Sequence, residues 1–192
     1  MNEFDLQIGA PVRCLDGDCG RLAKIALDPI TWQVTDLIVE NGKLLKQAHV
    51  FPLSTVIYTG PDDIHLSLLG EDLSNYSQYQ EADTKLSYKN NSERFPIPSV
   101  NHQNLAHRNT AIVAKGTLVK NLEGLIGRLA HLMIDPETGS ITHLVVQQGL
   151  LFPDYLNIPI SFVESISHEG IFLSLPHEEL CFFSQFFEQQ VA

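Results

Sequence analysis

The 192-residue sequence predicts an all-β chain: two small β-barrels in tandem, followed by a short C-terminal helix. Three observations carry that expectation. One stretch recurs later in the chain without a gap. Within each copy, short β-branched segments alternate with glycine and proline turns. After the second copy, an acidic start leads into closely spaced phenylalanines, a helical pattern.

The repeat sets the organisation of the chain. An offset of 107 residues lays residues 9–73 over residues 116–180. Gly20-Arg21-Leu22-Ala23 meets Gly127-Arg128-Leu129-Ala130, and Asp28-Pro29 meets Asp135-Pro136. Thr35, Leu37 and Val39 meet Thr142, Leu144 and Val146, while Leu66-Ser67-Leu68 meets Leu173-Ser174-Leu175. About 25 of the 65 aligned positions are identical, the mark of a duplicated structural unit. A unit of that length is large enough for a small core of its own. The expected organisation is a first barrel over residues 1–73, a polar connector over 74–115, a second barrel over 116–180 and an aromatic helix over 181–192.

Each copy reads as short strands. Val12-Arg13-Cys14 and Leu118-Val119-Lys120 run into acidic-glycine turns, Asp16-Gly17 and Glu123-Gly124. Apolar stretches follow at residues 22–27 and 129–134. Asp28-Pro29 and Asp135-Pro136 then open turns, since proline presets φ at the second turn position. Residues 34–40 and 141–147 are β-branched and partly alternating, as half-buried strands are. Residues 64–68 and 171–175 close the copies. The connector is rich in Asn, Ser, Gln, Tyr and His and is the only mildly basic stretch, with Lys85, Lys89, Arg94, Arg108 and Lys115. It reads as a solvated linker, with docking to an acidic partner as the alternative.

Composition narrows the function classes. Formal net charge is −11, from 12 Lys and Arg against 23 Asp and Glu. Phosphate backbones are bound by replacing counterions with basic side chains, so direct nucleic-acid binding is disfavoured. Three cysteines, Cys14, Cys19 and Cys181, make no disulfide framework, and the expected compartment is reducing. No apolar run reaches the ~20 residues of a membrane-spanning helix, and Glu3 and Asp5 interrupt any signal-peptide reading of the start. The chain reads as cytoplasmic, with peripheral docking on the cytoplasmic face of a membrane complex left open, as is homo-oligomerisation.

No nucleophile elbow, Walker loop or dinucleotide fingerprint is present, and the reading is a non-enzyme without cofactor, metal or catalytic residues. Cys14 and Cys19 lie five apart across a turn; two incidental thiols is the first reading, a redox-formed disulfide the second, metal the last. The eight histidines are scattered, His131 and His143 on different strands. Asp28 and Asp135 read as turn initiators rather than a carboxylate pair. Arg21 and Arg128 read as structural partners of a turn rather than an anion site.

Candidate partner-binding residues are aromatic. In the tail, Phe182 with Phe186 and Phe183 with Phe187 are i, i+4 pairs, which puts four rings on one side of a helix. That helix either caps its own barrel or anchors a partner. Trp32 stands in a turn where the second copy has Gly139, and reads as an exposed anchor.

The pattern in each copy resembles the PRC-barrel family. The likeness rests on Gly9-x-x-Val12, Gly17-x-x-Gly20-Arg21-Leu22, Asp28-Pro29, Thr35-Asp36-Leu37-Ile38-Val39 and Phe51-Pro52-Leu53, and on their counterparts Gly124-x-x-Gly127-Arg128-Leu129, Asp135-Pro136, Ile141 to Val146 and Ile158-Pro159-Ile160. The resemblance implies small barrels that serve protein interaction or assembly, as in the photosynthetic reaction-centre H subunit and a ribosome maturation factor. It therefore implies a scaffold or adaptor with protein partners, in a membrane-associated or photosynthetic complex. An accessory role in RNA processing or ribosome assembly is the alternative.

Overall fold

The computed structural model describes residues 3–42, 47–79, 110–149, 153–167 and 169–184. Fourteen strands form two sheets of seven. The first seven are β1 (Phe4–Gln7), β2 (Pro11–Cys14), β3 (Gly17–Asp28), β4 (Gln33–Asn41), β5 (Gln47–Pro52), β6 (Val56–Thr59) and β7 (Ile64–Leu66). Their counterparts are β8 (Ala111–Ala114), β9 (Leu118–Asn121), β10 (Gly124–Ile134), β11 (Ile141–Gln148), β12 (Asp154–Pro159), β13 (Val163–Ser167) and β14 (Gly170–Leu173). One helix, α1 (His177–Ser184), follows. The all-β class and the short C-terminal helix are as the sequence predicts. The helix starts at the acidic Pro176-His177-Glu178-Glu179 segment read as its opening, four residues before the 181 bound of the expected tail, and the stretch 185–192 lies outside the described residues.

The two sheets are topological copies. The first runs β5-β4-β3-β2-β7-β6 and the second β12-β11-β10-β9-β14-β13. All pairings along these paths are antiparallel except β2 with β7 and β9 with β14. Among the described residues no pairing joins the two ends of either path.

The seventh strand of each sheet comes from the other copy. β1 pairs β10, with Leu6 opposite Leu132, and β8 pairs β3, with Val113 opposite Ile25. The long strands make room for this. β3 pairs β4 along one edge, while its other edge is divided between β2 (up to Arg21) and β8 (from Lys24). The division falls at an irregularity between Leu22 and Lys24, matched in β10 between Leu129 and His131. A bulge there bends the strand and lets one edge serve two partners.

The chain crosses between sheets at Gly9 and Gly116, with φ of 101° and 86°, a conformation that favours glycine. The repeated arginines hold these crossings. Arg21 donates from Nη1 to the Gly9 carbonyl at 3.0 Å, and Arg128 donates to Gly116 at 3.1 Å. Between the copies, Gln33 bridges Ser140, its own counterpart in the repeat. Val34 N–H donates to Gly139 at 2.9 Å and Ile141 N–H to Trp32 at 2.8 Å. This reciprocal pair places a pseudo-two-fold axis at the Gln33–Ser140 bridge.

The expected partition therefore changes in two places. Ala111–Ala114, assigned by sequence to the connector, is a strand of the first sheet, and Phe4–Gln7 serves the second. Buried apolar residues of both copies, among them Leu6, Leu22, Leu37, Phe51, Val113, Leu129, Leu144 and Ile158, form one cluster rather than two separate cores. The exchange is the reason: Leu6 and Val113 are each buried against the other copy's long strand, and removing such side chains from water stabilises by roughly 1.5–3 kcal/mol apiece.

Two predictions follow from this geometry. Residues 110–192 alone carry β8 but lack β1, so two such chains should exchange β8 onto each other's β10. Light scattering after size exclusion should report a dimer; a folded monomer would contradict the need for a borrowed strand. Gly20, at φ 126°, lies against β4 so closely that a Cβ would sit 2.2 Å from the Glu40 carbonyl oxygen. Gly20→Ala should therefore cost about 2–4 kcal/mol in urea unfolding, as should Gly127→Ala, whose Cβ would meet the Gln147 carbonyl oxygen at 2.5 Å.

Candidate functional site

Most of the repeated polar residues are committed to the fold. Asp28 Oδ1 accepts from Ile30 N–H at 2.8 Å and Thr31 N–H at 3.3 Å, and Asp135 Oδ1 repeats both bonds with Glu137 and Thr138. These are turns closed by an aspartate side chain, as the Asp-Pro steps suggest. Thr35 and Thr142 donate back to Ala26 and Met133 across the same turns.

Trp32 is placed differently from expectation. Its turn is exposed at Ile30 and Thr31, as expected, but its own half-buried ring packs on the shared core. Its φ is 57°, the only positive value at a non-glycine among the described residues, where its counterpart Gly139 has 70°. The backbone explains the constraint: Trp32 N–H donates to Asp28 while its carbonyl accepts from Ile141 across the pseudo-axis.

Cys14 and Cys19 form a disulfide across the β2–β3 hairpin, which replaces the reading of two incidental thiols. The hairpin brings their Cα atoms to 5.7 Å, within the usual span of such a bond. The second copy holds the same hairpin without sulfur. There Asn121, counterpart of Cys14, donates from Nδ2 to Leu175 at 2.9 Å and accepts at Oδ1 from Glu123 and Gly124 N–H.

Both hairpins end in an exposed leucine. Leu15 is 64% exposed and its counterpart Leu122 is fully exposed. Leu125, beyond the second turn, and Leu69, beside the first, are exposed as well. Each tip is tied to the segment that follows its sheet. Asp16 Oδ1 accepts from Gly70 N–H at 2.8 Å, and Glu123 Oε2 accepts from His177 N–H, the start of α1, at 3.2 Å. A shallow pocket of about 100 Å³ opens between the second tip and the strand end before α1, lined by Leu122, Glu123, Leu173 and Pro176. An apolar side chain directly before each acidic-glycine turn, repeated in both copies, is the sequence signal for these tips.

The helix carries one exposed ring. Phe182 is 64% exposed, while Phe183 packs edge-on against Phe162 at 5.5 Å and Leu180 is buried in the core. Successive helical residues point about 100° apart, so Phe182 and Phe183 do not share a side as expected. Phe186 and Phe187 lie outside the described residues.

The histidines are less scattered in space than in sequence. β1 brings Asp5 to His131, with Nδ1 3.0 and 3.1 Å from the two carboxylate oxygens, and Glu3 to within 3.8 Å of His143. Sequence reasoning missed this because Asp5 belongs to the other copy. Among the described residues no three His, Cys, Asp or Glu gather as a metal site. No protein-family model matches the chain, and no curated protein matches it.

The disulfide closes a loop of sequence separation 5, for which chain-entropy arguments give a stabilisation of about 2 kcal/mol. Cys14→Ser with Cys19→Ser should lower the urea midpoint accordingly, and dithiothreitol should shift wild type alike while leaving the double variant unmoved.

Proposed function

We propose that this chain is a non-enzymatic scaffold or adaptor, a tandem PRC-barrel-like protein that joins protein partners within a larger complex. The observation that carries the reading is the pair of hairpin tips, each presenting an exposed leucine and each bonded to the segment that follows its sheet. Exposed leucine on a braced turn offers an interface an apolar anchor whose backbone has little freedom left to lose on binding. Two such tips related by a pseudo-axis offer two similar contacts from one body, which raises avidity when partners are linked. Phe182 adds an aromatic anchor at the second tip's end of the chain, the residue type enriched at interface hot spots.

Other features agree. The pocket beside the second tip, about 100 Å³, is well below the ~300 Å³ at which small-molecule sites usually begin, so this end suits an inserted side chain better than a substrate. The net charge of −11 favours protein partners over a phosphate backbone. No helix among the described residues is long and apolar enough to cross a membrane. The reading includes a cytoplasmic location with docking on a membrane-associated or photosynthetic complex, which rests on the family resemblance.

The test is affinity capture from native extract, comparing wild type with Leu122→Asp, Leu125→Asp and Phe182→Asp. Each replaces an exposed side chain, so stability should stay within about 0.5 kcal/mol. Recovery of co-purifying protein should fall about tenfold or more for at least one variant. Recovery identical to wild type in all three would sink the second tip as an anchor.

A further inference from the structure

The two halves of the repeat agree on the inner faces of their sheets and part company on the outer ones. In the first sheet the outer face carries Lys24 and the buried Asp36 beside an apolar patch. Ala26, Ile38 and Val50 are buried with Tyr79 packed against them, and an isolated bridge joins His49 to the neighbouring Gln78. Tyr79 N–H donates to Ala48 at 2.7 Å, and Val50 N–H donates to Ser77 at 2.9 Å. In the second sheet the positions of Ala48 and Val50 are Tyr155 and Asn157, and those of Lys24, Asp36 and Ile112 are His131, His143 and Asp5. Register places Asp5, His131, His143 and Asn157 on one face. Among the described residues no hydrogen bond reaches Asn157 N–H or the Tyr155 carbonyl in the manner seen at Val50 and Ala48.

That face is left incomplete. His143 Nδ1 and Asn157 Oδ1 are shut off from solvent yet have no hydrogen-bond partner among the described residues. Glu3 Oε1 stands 3.8 Å from His143 Nδ1, beyond hydrogen-bonding range. Buried polar groups are nearly always paired in folded proteins; the Asn157 amide oxygen can only accept and so calls for a donor, while His143 Nδ1 takes either role according to its tautomer. The surrounding inventory is rich in acceptors: the Asp5 and Glu3 carboxylates and the Asn157 amide oxygen. The rings of His131 and Tyr155, with centroids 6.4 Å apart and planes inclined at 60°, stand edge to face beside them.

We propose that the outer face of the second sheet binds an arginine side chain of a partner protein. A guanidinium supplies five N–H donors in a planar fork, matches carboxylates bidentately and stacks on aromatic rings. An ammonium offers neither the plane nor the fork. The chain's own residues after α1, Gln185-Phe186-Phe187-Glu188-Gln189-Gln190-Val191-Ala192, contain no cation and would not complement two carboxylates. The site rests on the adaptor reading only in taking its arginine from a protein, and it shares no residue with the hairpin tips, so either can fail alone.

The full chain, uniformly labelled with nitrogen-15, is titrated with the peptide acetyl-Gly-Arg-Gly-amide and followed by its backbone amide and imidazole signals. Saturable shifts at His131, His143, Val145 and Asn157 are expected. Replacing the arginine by citrulline, its neutral isostere, or by lysine should weaken binding at least tenfold and about threefold, respectively. Asp5→Asn and Glu3→Gln should each weaken it about fivefold or more; Asn157→Val, which restores the first sheet's residue type, keeps the test open if a β1 variant unfolds. Absence of saturable shifts, or equal binding of the citrulline peptide, overturns the site. Shifts that emerge only after Arg94→Gln or Arg108→Gln would show that the chain's own connector fills it, and would equally overturn a partner arginine.

Discussion

Neither sheet can finish its core from its own half of the sequence, and the exchange of β1 and β8 is what the rest of the structure depends on. β10 without β1 would leave the edge from His131 to Ile134 unpaired, and β3 without β8 would leave Lys24 to Leu27 in the same state. An unpaired edge beside a buried face is costly and prone to further association. The reciprocal loan removes both problems at once. It also dictates the local devices: a bulge to divide the long strand's edge, a glycine to turn the crossing chain, and an arginine to hold the turn's carbonyl. The Gln33–Ser140 bridge and its flanking bonds then lock one half to the other at the pseudo-axis. Hairpin tips built on such a frame keep a set separation, which is what bivalent binding requires.

The repeat was legible because the inner faces demand the same side chains twice. Leu22, Leu37, Val39 and Ile64 stand where Leu129, Leu144, Val146 and Ile171 stand, and all are buried. The exchange was not legible, for a physical reason. In a chain with two-fold pseudo-symmetry, β1 meets the same kind of long strand whether it pairs with β3 or with β10. Its alternation of buried and exposed positions is identical in the two cases. Only the direction taken at Gly9 differs, and a glycine permits either. Trp32 was misplaced for a related reason: its turn is exposed at Ile30 and Thr31, but Trp32 itself bonds to Ile141 of the symmetry mate.

The candidate surfaces were visible in part. The acidic-glycine turns were readable as hairpins, but the leucine before each acid carries meaning only once its neighbours are known to turn away from it. Phe182 and Phe183 look alike in sequence and end in opposite environments, since one helical step separates solvent from Phe162. The Asp5–His131 contact spans 126 positions and follows from the exchange, so no local pattern could announce it.

Comparing the halves separates what the architecture demands from what it leaves free. Gly9, Arg21, Asp28, Thr35 and Ser67 each recur in the second half, and each recurrence repeats the same bond or backbone conformation. Cys14 and Asn121 differ in chemistry yet secure the same hairpin, so there the demand is for a tether and not for a residue. The outer faces obey neither rule. Val50 and Asn157 occupy one structural position, yet one is buried apolar surface and the other holds an oxygen without a partner. A fold that needed a polar group there would need it twice. Since Val50 serves the first half at that position, Asn157 answers to something other than folding, and its unsatisfied oxygen says that what it answers to carries a hydrogen-bond donor.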